Sequence, residues 1–434
     1  MTLIIIRSRS FAPLAGAALM MVSLAACGED DSSPGSASEQ SSDEAEPSPD
    51  PSSSTAGQDE AVDAEESEEA VPRLVVAHEG GVDVLDVGSA DPAPVGSINL
   101  GTQPRLVVAP DDRHVFLVQS DDNRTQVLDA GSYSQPHGDH FHHYLREPAL
   151  RPDVVEGDTP IHVVSHEGRT AIFNDGDGSV DLFKVADVTA GGLNVDTVSA
   201  TSAHHGVAVP LTDGVLVSQS STEEALPESM VLLDKDGQAD REYMDSCPGL
   251  HGEAATGSVV AFGCSDGVLL LDGDTDTKVT YPDGEGEARV GSLYAAPHSN
   301  VLVGNYDDTH LASIDVDNPE IDTFDVSQPY GAITRGADGE VLVLGTDGVL
   351  RGFNPADGEP LGKVRAIDAF ELPEGHGSPT PSLTVIGEDA YLTDPVSGSL
   401  VIIDTEGWAI EGEMDLGFSP AQVVATNASH DVDH

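Results

Sequence analysis

Four of the chain's sixteen histidines, His137, His140, His142 and His143, lie between Pro136 and Tyr144. Neutral imidazole is the commonest protein ligand for zinc, and it also binds copper and nickel. On an extended backbone side chains alternate, so His140 and His142 share a face and can close on one ion. Asp139 stands beside them as an oxygen ligand, or as the acceptor that fixes a ring's tautomer. The bland reading is a polar surface loop that happens to be rich in histidine. Clustered ligand side chains favour a metal. More of them follow downstream: His162, His166, the pair His204-His205, and His251 with Glu253 two residues on.

Such side chains need elements to hold them, and from Arg73 onward the elements repeat. A short apolar strand, a Gly/Asp/Asn turn and a second strand recur eight times. The pairs are Leu74–Ala77 with Val82–Asp86, Val115–Val118 with Gln126–Asp129, Ala171–Phe173 with Val180–Phe183, and Val215–Val217 with Val231–Asp234. They continue as Val259–Phe262 with Val268–Asp272, Val301–Val303 with Leu311–Asp315, Val341–Leu344 with Val349–Phe353, and Ala390–Leu392 with Leu400–Asp404. The closing residues recur at intervals of roughly 40–45, the period of a β-propeller blade. Strands parted by turn residues, with no helical periodicity, exclude α/β classes. Eight pairs predict an all-β propeller of eight blades. Met414–Val424 echoes Ile98–Val108, which predicts a blade shared between the two chain ends, leaving no free sheet edge.

In this register His162, His204-His205 and His251 fall just before or at the first strand of three blades, where residues face the mouth of a central channel. The second blade is longer than its siblings, and the excess carries His137 to His143. Insertions in repeats map to loops, often on the binding face. Its outer strand is either His140–Arg146 or Ala149–Val155. His78, His114, His298 and His310 read as surface residues; His376 falls in a long loop, and His430 and His434 in a frayed tail. Apart from Cys27, the chain has Cys247 and Cys264. In an exported chain two cysteines most simply form a disulfide, with Cys247 as a zinc ligand the alternative.

Residues 1–26 read as a lipoprotein signal peptide: Arg7 and Arg9, an apolar run too short to span a bilayer, then Leu24-Ala25-Ala26-Cys27. Cys27 becomes the lipidated N-terminus, and the protein is expected to be exported and held on the outer face of the bacterial cell membrane through lipid alone. Residues 27–72, rich in Ser, Pro, Asp and Glu, form an acidic tether that cannot bury enough surface to order itself. The propeller spans 73–426, and 427–434 is an acidic tail. A formal net charge of −59 argues against nucleic acid as a partner.

Taken together, His137-Gly138-Asp139-His140-Phe141-His142, His204-His205-Gly206-Val207-Ala208-Val209-Pro210, Cys247-Pro248-Gly249-Leu250-His251-Gly252-Glu253-Ala254 and Phe262-Gly263-Cys264-Ser265-Asp266-Gly267-Val268 resemble the AztD family of exported zinc metallochaperones. The resemblance implies a propeller that binds Zn2+ and passes it to the solute-binding protein of a zinc ABC importer. Family members carry a His-rich segment near the N-terminus; here His78 is the first histidine. The expected function is therefore zinc binding and transfer without catalysis. The main site is expected at His140, His142, His205 and His251, with Asp139 and Glu253 as supporting or substitute ligands. His137, His143, His162, His166 and His204 are expected to form a weaker neighbouring site. Two other readings compete: a propeller enzyme (a metal-dependent hydrolase or a quinone-cofactor dehydrogenase), or an interaction platform in the cell envelope. A three-ligand zinc with an open position would favour the hydrolase.

Overall fold

A computed structural model describes residues 64–428, apart from 89–91, 139, 223–225, 244–246, 283, 285–287 and 374–377. The signal peptide, Cys27, most of the tether, Asp139, His376, His430 and His434 lie outside the described residues.

All eight strand pairs read from the sequence are present, each as the two middle strands of a four-stranded antiparallel sheet. The leading strands of the second to eighth sheets are Arg105–Val108, Pro160–His166, Ala208–Leu211, Glu253–Thr256, Leu293–Tyr294, Tyr330–Arg335 and Ser382–Ile386. The first sheet is led by Pro420–Thr426, which pairs with Arg73–His78 from the other end of the chain. Middle strands are buried on both faces, which explains their runs of Val, Leu and Ile. The Asp that closes many third strands caps the next turn. Asp315 Oδ1 accepts from the backbone N–H groups of Asp317 and Asn318, and Asp404 Oδ1 from those of Glu406 and Gly407.

Apolar clusters join each sheet to the next. Leu106, Leu117 and Leu128 of the second sheet pack on Val75 and Val84 of the first, and Val207, Val209 and Leu216 of the fourth on Phe262 and Leu269 of the fifth. The eighth sheet packs back on the first through Tyr391, Leu400 and Ile402 against Leu74, Val76 and Leu85. Each such side chain contributes about 1.5–3 kcal/mol on burial. A cavity of about 460 Å³ is lined by Val108, Tyr294, Ala332, Leu383 and Val423, each on or beside the leading strand of a different sheet.

The outer strand of the second sheet is Ala149–Glu156, the second of the two alternatives. The excess residues form a separate hairpin, Ser132–His137 with His140–Leu145. Its third strand, Glu65–Ser67, comes from the acidic segment, so the end of that segment is ordered rather than a tether throughout. Asn427 is likewise pinned rather than frayed: its side chain bonds Ser132 and Ser134 at 2.9 Å. The hairpin base is clamped by buried Asp129, which takes two hydrogen bonds from Arg113 and one from Arg146. Burial pushes the Asp129 carboxyl up, but Arg113, His114 and Arg146 hold it well below the usual range.

Candidate metal centre

Two histidine groups emerge among the described residues, each with its ligand atoms within 4.8 Å of one another: His162, His205 and His251, and His137, His140 and His142.

The first group is drawn from three consecutive sheets. His162 follows a bulge at Ile161, where the strand slips by one residue against Phe173 and Asn174. Bulges re-aim side chains, and here Nδ1 of His162 meets the Gly206 carbonyl at 2.6 Å. His205 lies in the loop before Ala208–Leu211 and donates from Nδ1 to Asp175 Oδ2 at 2.6 Å. Gly206 must be glycine, since a Cβ there would meet Phe173 and the His204 ring at 2.4 and 2.6 Å. His251 donates from Nδ1 to the Gly291 carbonyl at 2.6 Å. Gly252 has φ +77°, and a Cβ on it would strike that same carbonyl at 2.7 Å. Asn305 holds the acceptor in place by accepting from the N–H groups of Gly291 and Ser292.

The Cys247–Cys264 disulfide, with Cα atoms 4.9 Å apart, ties the loop before His251 to its neighbouring strand. The alternative of Cys247 as a zinc ligand is thereby set aside. Hydrogen bonds from Cys247 N to Glu228 O and from Leu250 N to Pro227 O fasten the loop to the fourth sheet.

These bonds fix the chemistry of the rings. A carbonyl or carboxylate oxygen only accepts, so Nδ1 carries the hydrogen in all three and Nε2 carries the lone pair. Nε2 of His205 lies 3.4 Å from Nε2 of His251. A tetrahedral zinc with Zn–N bonds of about 2.0–2.1 Å places its ligand nitrogens about 3.3–3.4 Å apart. Burial lowers the pKa of His162 to about 4, helped by His205, Arg105 and His251 and opposed by the Gly206 bond. This ring is therefore neutral, as a ligand must be, across the physiological range. His205 and His251 open onto a cavity of about 440 Å³ that Leu226, Arg289, Ser292 and Asn305 also line.

The second group sits at the hairpin tip. His137 pairs directly with His140, and His142 follows on the same face. The His140 and His142 Nε2 atoms are 3.1 Å apart. Nδ1 of His142 bonds Glu66 Oε1 at 2.7 Å, from the added third strand. His143 points to the opposite face and bonds Ser134 Oγ.

The expected single site thus divides. His140 and His142 belong with His137, while His205 and His251 belong with His162, because the insertion folds as its own hairpin rather than as a strand of the second sheet. His204 joins neither: it is buried, with Nδ1 on Ser202 O and Nε2 on Ser218 Oγ, and it packs edge-on against Phe173. His166 lies four residues, about 13 Å, along the strand from His162 and bonds Pro210 O at 3.1 Å. Glu253 is in neither group; burial raises its pKa to about 7 against the charge of Arg105. His114 is not at the surface but buried against Asp111 at 2.7 Å. Asp175 and Glu66 are orienting residues the sequence reading missed. Asp175 sits in Asn174-Asp175-Gly176, indistinguishable from turn chemistry, and Glu66 in an acidic run.

No family model matches the chain. A curated relative, the zinc chaperone AztD of Citrobacter koseri, is 26% identical over 363 residues, which are 80% of this chain and 84% of that protein. The crystal structure of Citrobacter koseri AztD superposes with a TM-score of 0.77 at 23% identity, covering 82% of this chain and 98% of that one. The apo AztD structure from the same organism gives 0.76, covering 84% and 100%. The resemblance carried by the histidine and cysteine motifs therefore extends along most of the chain, and this protein is a relative of the AztD zinc chaperones.

Proposed function

We propose that this chain is a non-enzymatic zinc carrier, with its tight site at His162, His205 and His251. The observation that carries the reading is the set of three Nδ1 hydrogen bonds that present three Nε2 lone pairs to one point. The hairpin group, His137, His140 and His142, is a second and more accessible site, with Asp139 beside it in sequence. Its exposure suits capture or release, whereas the first site suits retention. The eight sheets are read as eight propeller blades. The pairing of Pro420–Thr426 with Arg73–His78 and the packing of the eighth sheet on the first support a ring closed by a shared blade. The relative's name supports zinc as the metal.

Cys27 carries the lipid anchor, and the protein stands on the outer face of the cell membrane, where the Cys247–Cys264 disulfide is stable. Its partner is the solute-binding protein of a zinc ABC importer. The test is zinc content and transfer for the full-length chain purified without a His tag. Two zinc ions per chain are expected, one retained against a chelator, with delivery to the solute-binding protein faster than release into a chelator of equal strength. Equal rates would leave a zinc buffer rather than a chaperone.

Three ligands beside an open cavity also favour a second reading, a zinc hydrolase. Hydrolysis of an activated ester by the zinc-loaded chain, abolished in His251→Ala, would support it. Its absence across ester and phosphoester substrates leaves the carrier.

A further inference from the structure

We propose that the cavity beside His205 and His251 receives a carboxylate: one oxygen takes the fourth position on the metal, and the other accepts from Arg289. This rests on reading His162, His205 and His251 as a zinc site. Among the described residues that group supplies three ligands, whereas zinc takes four. The adjoining cavity of about 440 Å³ has room for a ligand larger than one water.

Its walls choose the occupant. Arg289 donates from Nη1 to the Gly249 carbonyl at 2.8 Å, which fixes the guanidinium beside the loop that carries His251. Among the described residues no carboxylate is bonded to it. Asn305 uses its Oδ1 on Gly291 and Ser292, and its Nδ2, a donor only, belongs to the same cavity lining. The cavity therefore offers N–H donors together with a position on the metal for a Lewis base. A further imidazole or a thiolate would satisfy the metal and leave the donors bare. A carboxylate satisfies both, because its two oxygens can divide between metal and guanidinium, and the planar fork of Arg matches that geometry. The carboxylate is either a free small acid or an Asp or Glu side chain of a protein that takes the metal. In the second case it enters as the incoming ligand, displaces water from the metal, and makes the first bond of exchange.

The test uses the full-length chain carrying His137→Ala, His140→Ala and His142→Ala, loaded with one equivalent of Co2+ and followed by visible absorption. Sodium acetate and N-acetyl-aspartate N-methylamide are titrated separately at constant ionic strength. A saturable change in the cobalt bands is expected, with acetate affinity weakened about tenfold or more by Arg289→Ala and partly restored by Arg289→Lys. Binding of the blocked aspartate within about threefold of acetate assigns the site to a side-chain carboxylate; binding of acetate alone assigns it to a small free acid. Should Arg289→Ala not fold, Arg289→Gln, which keeps an N–H for Gly249, carries the same comparison. Cobalt bands indifferent to both probes, or acetate affinity unchanged in the Arg289 variants, overturn the proposal. If no cobalt spectrum develops, the zinc reading of the three histidines fails instead.

Discussion

The two histidine groups have the same ligand count but differ in exposure and in support. His137 and His140 are exposed, whereas His162, His205 and His251 are all partly buried. A second difference is where their supports come from. The hairpin group is local: its three rings lie within six residues, and the long-range partner of His142 is Glu66, itself 61% exposed. The other group spans nearly ninety positions, from His162 to His251, and each ring is held by an acceptor in another sheet. The first can form wherever its hairpin forms. The second exists only when three sheets are in place, and it presents its lone pairs without reorganisation. A pre-set site loses less freedom on binding than a flexible one.

The largest expected effect tests that division directly. His162→Ala, His205→Ala and His251→Ala should each cost the tight zinc about a thousandfold, or about 4 kcal/mol. His140→Ala should leave that affinity within about twofold while removing the weaker zinc. Competition against a chelator series measures both. If His140→Ala weakens the tight zinc as much as His251→Ala does, the two groups act as one site after all.

Next comes the disulfide. Cys247→Ser with Cys264→Ser should destabilise the fold by about 3 kcal/mol in urea unfolding, the loss expected for a loop of this length. It should also speed zinc loss from the three-sheet site, because the loop bearing His251 is anchored there, and leave the hairpin site as it was. Equal effects on both sites would mean that the bond acts only through global stability.

How much of this was legible follows the same local-versus-distant line. The strand pairs were readable because apolar alternation and Gly/Asp turns are written in neighbouring residues. His205 and His251 were readable because they recur at one position of a repeat, and His140 and His142 because two-residue spacing on a strand puts them on one face. Which ring meets which was not readable. His162 shares that repeat position but was assigned to the weaker site; its bulge and the Gly206 carbonyl, 44 residues on, aim it at His205. The expected union of His140 and His142 with His205 and His251 failed because nothing in the spacing says that an insertion folds as a separate hairpin. Asp175 was hidden because a carboxylate in a Gly-rich turn usually caps the turn; this one instead reaches the next sheet.

A smaller effect separates the orienting carboxylates. Asp175→Ala should weaken the tight zinc about tenfold to a hundredfold, the usual loss when the partner of a ligand histidine is removed. Glu66→Ala should cost the hairpin site only about twofold to threefold, because an exposed pair is weakened by solvent. Calorimetry on each variant, with the other site removed, decides. A Glu66 effect as large as that of Asp175 would show the hairpin to be as well ordered as the three-sheet site.

The smallest effect concerns protons rather than metal. Burial lowers the pKa of His162 from 6.5 to about 4 in the folded chain. Between those values the unfolded chain binds a proton at this residue that the folded chain does not, so stability must rise with pH across the window. The contribution of His162 is fully lost by about pH 4 and flattens above about pH 6.5. Carboxylates also titrate in this range, so the slope of one protein does not isolate the histidine. The comparison of metal-free parent with His162→Gln does, because the carboxylates cancel. The parent should lose more stability than the variant as pH falls from 6.5 to 4.5, measured as the urea midpoint at each pH. His143→Gln, on the hairpin face away from its metal group, serves as the counterpart outside the three-sheet site. Parallel curves for parent and His162→Gln would mean that the ring is hydrated in solution, and the pre-set character of the three-sheet site would then rest on Asp175 and the Gly291 carbonyl alone.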